Sequence, residues 1–243
     1  MPNISTSELL DIWEEGLGQP LVEKTIRLLS KVYSPADPEF VKQLSIGERD
    51  RWLLQIREWM FGHRLKNMTK CPTCSESIEW ESGTDDLHVQ PSPSGISPRT
   101  FSFVKDNFII RYRLPNSNDM LRFVSAGTNH RMLLANCILE IQSGEVQSLA
   151  KDLPESVWDE LDHQMEQKDP QADIRMKIKC PACLTDFEAG FDIMNFLWAE
   201  INDWAHRILQ EVYLLARSYG WSEKDILSMS SRRRHAYREM LRP

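Results

Sequence analysis

Two short cysteine motifs constrain this chain more than any other feature of its sequence. They are Lys70-Cys71-Pro72-Thr73-Cys74 and Lys179-Cys180-Pro181-Ala182-Cys183, and each follows a run typical of a β-strand, 65–70 and 174–179. Two thiolates separated by two residues bind one side of a tetrahedral metal ion, and two such pairs complete a four-cysteine shell. Because more than a hundred residues separate the motifs, the fold has to assemble the site.

The alternatives for these cysteines are paired buried thiols, disulfides or a redox-active dithiol. A thioredoxin-like dithiol needs one Cys-x-x-Cys motif that enters a helix, and neither motif here is followed by a helical pattern. Zinc knuckles often carry a glycine after the second cysteine, whereas this chain has Ser75 and Leu184 there. The matching flanks of the two motifs favour one structural Zn²⁺, with no catalytic role. Its expected ligands are Cys71, Cys74, Cys180 and Cys183.

The composition indicates a globular protein with a sizeable core. The chain has 243 residues, of which 41% are hydrophobic and eight are tryptophan. The formal net charge of −7 argues against nucleic acid as a bulk electrostatic partner. The first residues lack the pattern of a signal peptide, and no stretch is apolar enough to span a membrane. We therefore expect synthesis in the cytoplasm, where clustered thiols stay reduced.

The hydrophobic pattern predicts an α+β fold that is mainly helical. Helical N- and C-terminal regions are joined by a small β region with a discontinuous, zinc-ribbon-like four-cysteine site. Capping boxes at Ser5–Glu8 and Ser45–Glu48 open two of the N-terminal helices. We divide the chain into an N-terminal helical region (residues 1–64), a first zinc knuckle (65–80), a flexible loop (81–99), a β-hairpin with helices (100–170), a second zinc knuckle (171–190) and a C-terminal helical region (residues 191–243).

The central region of the chain contains a predicted hairpin. The segments 101–104 and 108–114 have the composition of strands and flank a turn at Lys105-Asp106-Asn107. A helix is predicted from Asn129 to Ile141. Cys137 lies in this helix, and we expect it to be a small core residue rather than a fifth metal ligand.

The C-terminal region has the most regular pattern. A long helix is predicted from a cap at Asp192 to about Tyr219, because apolar residues recur at helical spacing. The final helix has three consecutive arginines in its first turn, where the helix dipole favours acids. They are either simply solvated or paired with an acidic surface, on this chain or on a partner. The predicted partner-binding set is Arg232, Arg233, Arg234 and Arg238.

The sequence gives no support for an enzyme. It lacks a glycine-rich phosphate loop, a Gly-x-Ser-x-Gly elbow and a His-Glu-x-x-His zinc motif. Its six histidines are spread along the chain without metal-ligand spacing. His206, on the long helix, is interpreted as a hydrogen-bonded residue of the helix face. We therefore expect no catalytic activity and assign no catalytic residue.

Several stretches outside the cysteine motifs are distinctive. They are Leu9–Gly16, Leu44–Asp50, Phe61–His63, Phe191–Ile193, Glu200–Leu209 and Glu211–Leu227. Together with the two motifs, they resemble baseplate proteins of contractile phage tails and of phage-tail-like contractile injection systems, a group related to the T-even-type baseplate hub. The resemblance covers most of the chain. The missing glycines after the motifs and the long loop after the first motif depart from it.

The resemblance implies a structural subunit that binds other tail subunits and becomes a component of a tail-like particle. Its expected partners are the hub, the spike, the tube-initiating protein and the sheath-side proteins of the baseplate, with no small-molecule substrate. Two alternatives stay open. One is an assembly chaperone that is absent from the finished particle, and the other is a zinc-ribbon regulator or nucleic-acid adaptor that uses the arginine helix.

Overall fold

The computed structural model describes residues 4–33, 37–88, 100–126, 129–143, 146–147 and 149–241, and all structural statements below concern these residues. The chain forms two compact units. The first contains Met1–Pro35 and Met194–Pro243, and the second contains Ala36–Ile193. The boundary therefore falls inside the predicted N-terminal helical region, because the helices after residue 36 pack in the second unit.

The described helices account for most of the regular structure. In chain order they are α1 (Thr6–Glu15), α2 (Leu21–Val32), α3 (Pro38–Gln43), α4 (Ile46–Phe61), α5 (Ser117–Ala126), α6 (His130–Cys137), α7 (Glu155–Lys168), α8 (Ile193–Tyr219), α9 (Glu223–Ser228) and α10 (Ser231–Glu239). The mainly helical α+β class is thus confirmed. None of the described helices is long and apolar enough to cross a membrane.

The described strands form small antiparallel sheets. They are β1 (Arg64–Lys70), β2 (Ser77–Gly83), β3 (Thr100–Lys105), β4 (Phe108–Arg113), β5 (Ile138–Ser143), β6 (Val146–Gln147), β7 (Ile174–Lys179) and β8 (Asp186–Phe191). Within the described ranges, β1 pairs with β2, β7 pairs with β8, and the order of the remaining sheet is β3-β4-β5-β6.

The first unit is helical in its described residues. Its N-terminal helix begins at the predicted capping box, in which the Ser5 side chain accepts from the Glu8 amide and the Glu8 carboxylate accepts from the Ser5 amide. Helix α8 begins directly after Asp192 and ends before Gly220, as predicted. A hydrophobic core joins α1, α8 and α9 through Leu10, Ala205, Ile208, Val212, Leu215 and Ile226.

The second unit contains the four-stranded sheet and its core. Ile110 and Tyr112 of β4 are buried against Leu134 of α6 and Leu161 of α7. The prediction of one helix from Asn129 to Ile141 was wrong in its last turn. Helix α6 ends at Cys137, and the following residues form β5, which pairs with β4. Tertiary pairing with a neighbouring strand overrides the local helical pattern here, and β-branched residues such as Ile138 and Ile141 suit a strand.

Two further hairpins carry the cysteine motifs. Strands β1 and β2 pair from Arg64 opposite Gly83 to Lys70 opposite Ser77, and β7 and β8 pair from Ile174 opposite Phe191 to Lys179 opposite Asp186. Both motifs therefore lie at the turn that connects two paired strands. The predicted flexible loop starts too early, because 81–83 belong to β2 and 85–87 form a short 3-10 helix. The rest of that loop, 89–99, lies outside the described residues.

Candidate metal centre

Each cysteine motif folds into the same hydrogen-bonded turn. In the first, the Cys71 amide donates to the Glu76 carbonyl over 2.9 Å and the Ser75 amide donates to the Cys71 carbonyl over 2.9 Å. In the second, the amide of Cys180 donates to the carbonyl of Thr185 over 3.0 Å, and the Leu184 amide donates back to Cys180 over 3.0 Å. Since the positions correspond one to one, the two motifs are copies of one local structure.

The two turns bring the four thiols together. The Sγ atoms of Cys71 and Cys183 are 3.6 Å apart, those of Cys74 and Cys180 are also 3.6 Å apart, and all four lie within 4.8 Å of one another. Four sulfurs at about 2.3 Å from a tetrahedral ion are separated by roughly 3.8 Å. The distances are far longer than the roughly 2.05 Å of a disulfide bond, so the cysteines are free thiols.

Each close pair of sulfur atoms links the two hairpins. Each pair combines one cysteine of the first motif with one of the second, which are 112 and 106 residues apart in the sequence. Cys71 and Cys180 are buried, and the cluster is flanked by Ile78 and the partly buried Trp80 and Phe187. An ion bound here would therefore join two segments that are distant in the chain. Among the described residues, this is the one group of three or more cysteine, histidine or carboxylate side chains placed to hold a metal ion.

The thiols of the cluster differ in acidity. The hydroxyl of Thr185 lies 3.4 Å from Cys183 Sγ, and hydrogen bonds from its side chain and backbone lower the pKa of Cys183 to about 6. A backbone hydrogen bond at Glu76 favours the Cys74 thiolate, but desolvation and the adjacent thiols, first of all Cys180, outweigh it and raise the pKa of Cys74 to about 12. Ionisation of one thiol thus raises the pKa of the thiols next to it. A bound cation lowers their pKa values again, because it stabilises the thiolates.

Thr185 contacts the cysteine cluster, which the sequence did not reveal. It stands two positions after Cys183, and its hydroxyl oxygen accepts a hydrogen bond from the Cys183 thiol over 3.4 Å. The same hydroxyl can donate to this sulfur once the thiol is ionised. The equivalent position of the first motif is occupied by Glu76. A comparison of the two motifs position by position could have pointed to Thr185, because a hydroxyl can donate to a thiolate and a carboxylate cannot.

The predicted partner-binding arginines fall into different environments. Arg232 and Arg233 are exposed, and the Arg233 guanidinium lies 5.8 Å from the centre of the Tyr237 ring. Arg238 is half-buried. Arg234 is 2% exposed, and its guanidinium donates to the Glu211 carboxylate over 3.0 Å and to a backbone carbonyl of the same chain over 2.7 Å. Arg234 is therefore an internal residue that cannot bind a partner in this conformation.

His206 also lies in a structural environment. Its ring packs edge-on against the ring of Trp13, with centroids 5.5 Å apart. Cys137, expected to be a core residue, is fully buried in the core of the second unit and lies 3.8 Å from the Arg113 guanidinium. Burial raises the pKa of the Cys137 thiol to about 12, so this cysteine stays protonated and is a poor metal ligand.

Comparison with known protein families decides the class of this protein. The family described as T4 bacteriophage base plate protein matches residues 18–198, about three quarters of the chain. The chain belongs to this family. The resemblance to phage baseplate proteins is thus confirmed, and the matched region includes both cysteine motifs. Helices α9 and α10 lie outside it. No curated protein and no solved structure gives a significant match to the chain.

Proposed function

We propose that this protein is a structural component of the baseplate of a contractile phage tail or of a related contractile injection system. The observation that carries the proposal is the match to the base plate protein family over residues 18–198. The protein would bind neighbouring subunits between the hub and spike, the tube and the sheath side. Its role would be binding rather than catalysis.

The proposal also includes a structural zinc ion held by Cys71, Cys74, Cys180 and Cys183. The supporting observation is the separation of the sulfurs, 3.6 Å in the two close pairs and at most 4.8 Å overall, which suits tetrahedral thiolate coordination. All four positions would be filled by protein, as in closed structural sites, so no open position remains for a substrate. The ion would stabilise the fold by cross-linking two hairpins of the second unit.

The assembly chaperone is the closest alternative, since a chaperone of the same family would bind the same neighbours. It differs in one observable property, because it would be missing from the finished particle. The nucleic-acid adaptor is less favoured. The chain carries a net charge of −7, which disfavours binding to phosphates. In addition, Arg234 of the arginine helix forms an ion pair with Glu211 of the same chain and is not available to a phosphate.

One preparation tests both the baseplate role and the zinc site. The tagged chain is isolated under native conditions from its own cell, the eluate is imaged by electron microscopy, and zinc is quantified per chain. We expect tail-like particles that carry the tag at one end and one zinc ion per chain. A chain recovered with tail subunits but absent from complete particles would support the chaperone instead. A chain that carries nucleic acid would contradict the baseplate role.

A further inference from the structure

The four sulfur atoms of the cysteine cluster form two close pairs. Cys71 Sγ is 3.6 Å from Cys183 Sγ, and Cys74 Sγ is 3.6 Å from Cys180 Sγ. Each cysteine belongs to one pair, so the two pairs account for the whole cluster. Each pair takes one thiol from each hairpin. The sulfur atoms of a pair have to approach each other by about 1.5 Å to form a disulfide bond of roughly 2.05 Å.

Solvent reaches one member of each pair. Cys74 is exposed and Cys183 is half-buried, whereas their partners Cys180 and Cys71 are 0% and 2% exposed. An oxidant dissolved in water can therefore reach the outer sulfur atom of each pair, and the inner sulfur atom lies next to it. In this arrangement an oxidised cysteine condenses with a second thiol to a disulfide bond before it is oxidised further.

The fifth cysteine of the chain lies apart from these pairs. Cys137 is fully buried in the core around β4 and α6, and it does not belong to the group of side chains placed to hold a metal ion. Its sulfur lies 3.8 Å from the Arg113 guanidinium and 4.0 Å from the Asp119 carboxylate. The cluster therefore has only its own four thiols to pair with, and Cys137 is an internal control.

We propose that hydrogen peroxide or a related peroxide converts the cluster into two disulfide bonds, Cys71–Cys183 and Cys74–Cys180, which connect the same two hairpins. The inference rests on the structural zinc ion of the proposed function and names a redox modification of that site. Because thiolates are the metal ligands, the four cysteines release the ion when both bonds have formed. The cross-link between the hairpins then persists in covalent form.

Each disulfide bond forms in two steps. The outer thiolate attacks one oxygen atom of the peroxide, the O–O bond breaks, and a sulfenic acid and a hydroxide ion result. The inner thiolate then attacks the sulfenic sulfur, the S–S bond forms, and the second oxygen atom leaves as hydroxide. Two peroxide molecules thus accept the four electrons that the four thiolates lose, and the hydroxide ions take up protons from the buffer to form water.

Pairing between the hairpins differs in its effect from pairing within a motif. The cysteines of one motif are three positions apart, whereas the proposed bonds join residues 112 and 106 positions apart. A cross-link restricts the unfolded chain more when it closes a longer loop, so the proposed bonds stabilise the fold more than bonds within the motifs would. A component of a released tail-like particle leaves the reducing cytoplasm, and these bonds would keep its hairpins joined after a loss of zinc.

Controlled oxidation of the purified full chain tests the proposal. The zinc-loaded protein is titrated with hydrogen peroxide, the remaining thiols are alkylated in denaturant, and the linked peptides are assigned by mass spectrometry with fragmentation across the link. Released zinc is measured in the same samples with a chromogenic chelator. We expect the pairs Cys71–Cys183 and Cys74–Cys180, one zinc ion released per chain, and Cys137 alkylated. Any other pairing, or oxidation to sulfinic acids without disulfide bonds, would overturn the proposal.

Variants and thermal melting supply a second readout. Cys183→Ser leaves Cys71 without a partner, so Cys74–Cys180 should be the one disulfide bond that still forms. Cys137→Ser is the matched control and should form both bonds, as the wild type does. The oxidised, zinc-free wild type should melt well above the reduced protein from which a chelator has removed zinc. Equal melting temperatures for these two forms would contradict a cross-link between the hairpins.

These measurements separate the modification from the proposed function. A chain that is purified without zinc but forms both bonds would support the pairing and reject the structural zinc ion. One zinc ion per chain together with links inside the motifs would do the reverse. Because the purified chain is used, the result is the same for a built-in subunit and for an assembly chaperone.

Discussion

Ser75 and Leu184 adopt the same left-handed backbone conformation, with φ values of +61° and +63°. Each residue directly follows the second cysteine of its motif. Glycine is the usual residue at such a position because it has no Cβ to clash with the carbonyl oxygen that follows it. Both turns thus have the backbone geometry of a metal knuckle although neither has glycine at this position. The left-handed conformation is therefore strained at both Ser75 and Leu184.

Glycine at these two positions should therefore stabilise the protein. We expect Ser75→Gly and Leu184→Gly each to raise the free energy of unfolding by about 1 kcal/mol, because the left-handed conformation costs a non-glycine residue roughly 1–2 kcal/mol and glycine loses some of that in chain entropy. Leu184 is 65% exposed, so little apolar burial is lost. Urea unfolding of the metal-loaded protein measures the change. Ser77→Gly, in an exposed position of β2, is the control and should be destabilising.

Loss of one thiolate should remove both metal and stability. We expect Cys180→Ser to lower the zinc content and to reduce the free energy of unfolding by several kcal/mol, because binding of a structural zinc contributes about 10 kcal/mol or more to small zinc domains. Metal analysis and thermal melting of the same sample measure the two effects. Cys137→Ser changes a buried cysteine outside the cluster, so it should retain zinc even if it melts earlier. Full zinc content with an unchanged melting temperature in Cys180→Ser would contradict the zinc site.

The features of this fold that the sequence predicts are those set by local chemistry. The strands before each motif, the capping box at Ser5–Glu8, the N-cap at Ser45 and the end of α8 before Gly220 follow from residue patterns within a few positions. The convergence of the four cysteines is also predictable, because a structural zinc site needs four ligands and each motif supplies only two. Local patterns do not predict the strand at Ile138–Ser143 or the burial of Arg234. The strand forms because it pairs with β4, and Arg234 is buried because it pairs with Glu211, and both partners are distant in sequence.

The buried pair of Arg234 and Glu211 should be structural. Their side chains are 3% and 10% exposed, and removal of one partner leaves the other charge buried without compensation. We expect Arg234→Ala to reduce the free energy of unfolding by about 3–5 kcal/mol. Arg232→Ala, two positions earlier on the exposed side of α10, should change it by less than about 0.5 kcal/mol. Chemical unfolding compares the two variants, and equal small effects would show that Arg234 is not held in this pair.

A side chain at Gly47 should destabilise the start of α4. Its amide donates to the Asp169 carboxylate over 2.9 Å, and a Cβ at this position would lie 2.1 Å from Asp169 Oδ1 and 2.9 Å from the Ala172 amide nitrogen. Gly47→Ala should therefore displace Asp169 and cost about 1–3 kcal/mol, since a capping bond is lost and backbone has to move. Gly190→Ala is the control, because a Cβ there meets nothing within 4 Å. Equal melting temperatures for the two variants would contradict the close packing at Gly47.

Asp50 should make stability depend on pH near neutrality. Burial raises the pKa of its carboxyl from 3.8 to about 6, although the Arg49 guanidinium, 2.7 Å away, opposes the shift. As the pH falls from 7 to 5, the folded protein takes up a proton that the unfolded chain does not yet bind. The free energy of unfolding should therefore increase relative to an Asp50→Asn variant, by up to about 1.4 kcal/mol per pH unit.

The comparison of wild type with Asp50→Asn isolates this carboxyl, because the cysteine cluster titrates in both proteins and its contribution cancels. Urea unfolding at pH 7, 6 and 5 gives the difference between the two free energies at each pH. The difference should shift in favour of the wild type as the solution becomes more acidic. A difference that is flat over this range, or that favours the variant at pH 5, would show that the Arg49 charge prevails over burial and keeps Asp50 ionised.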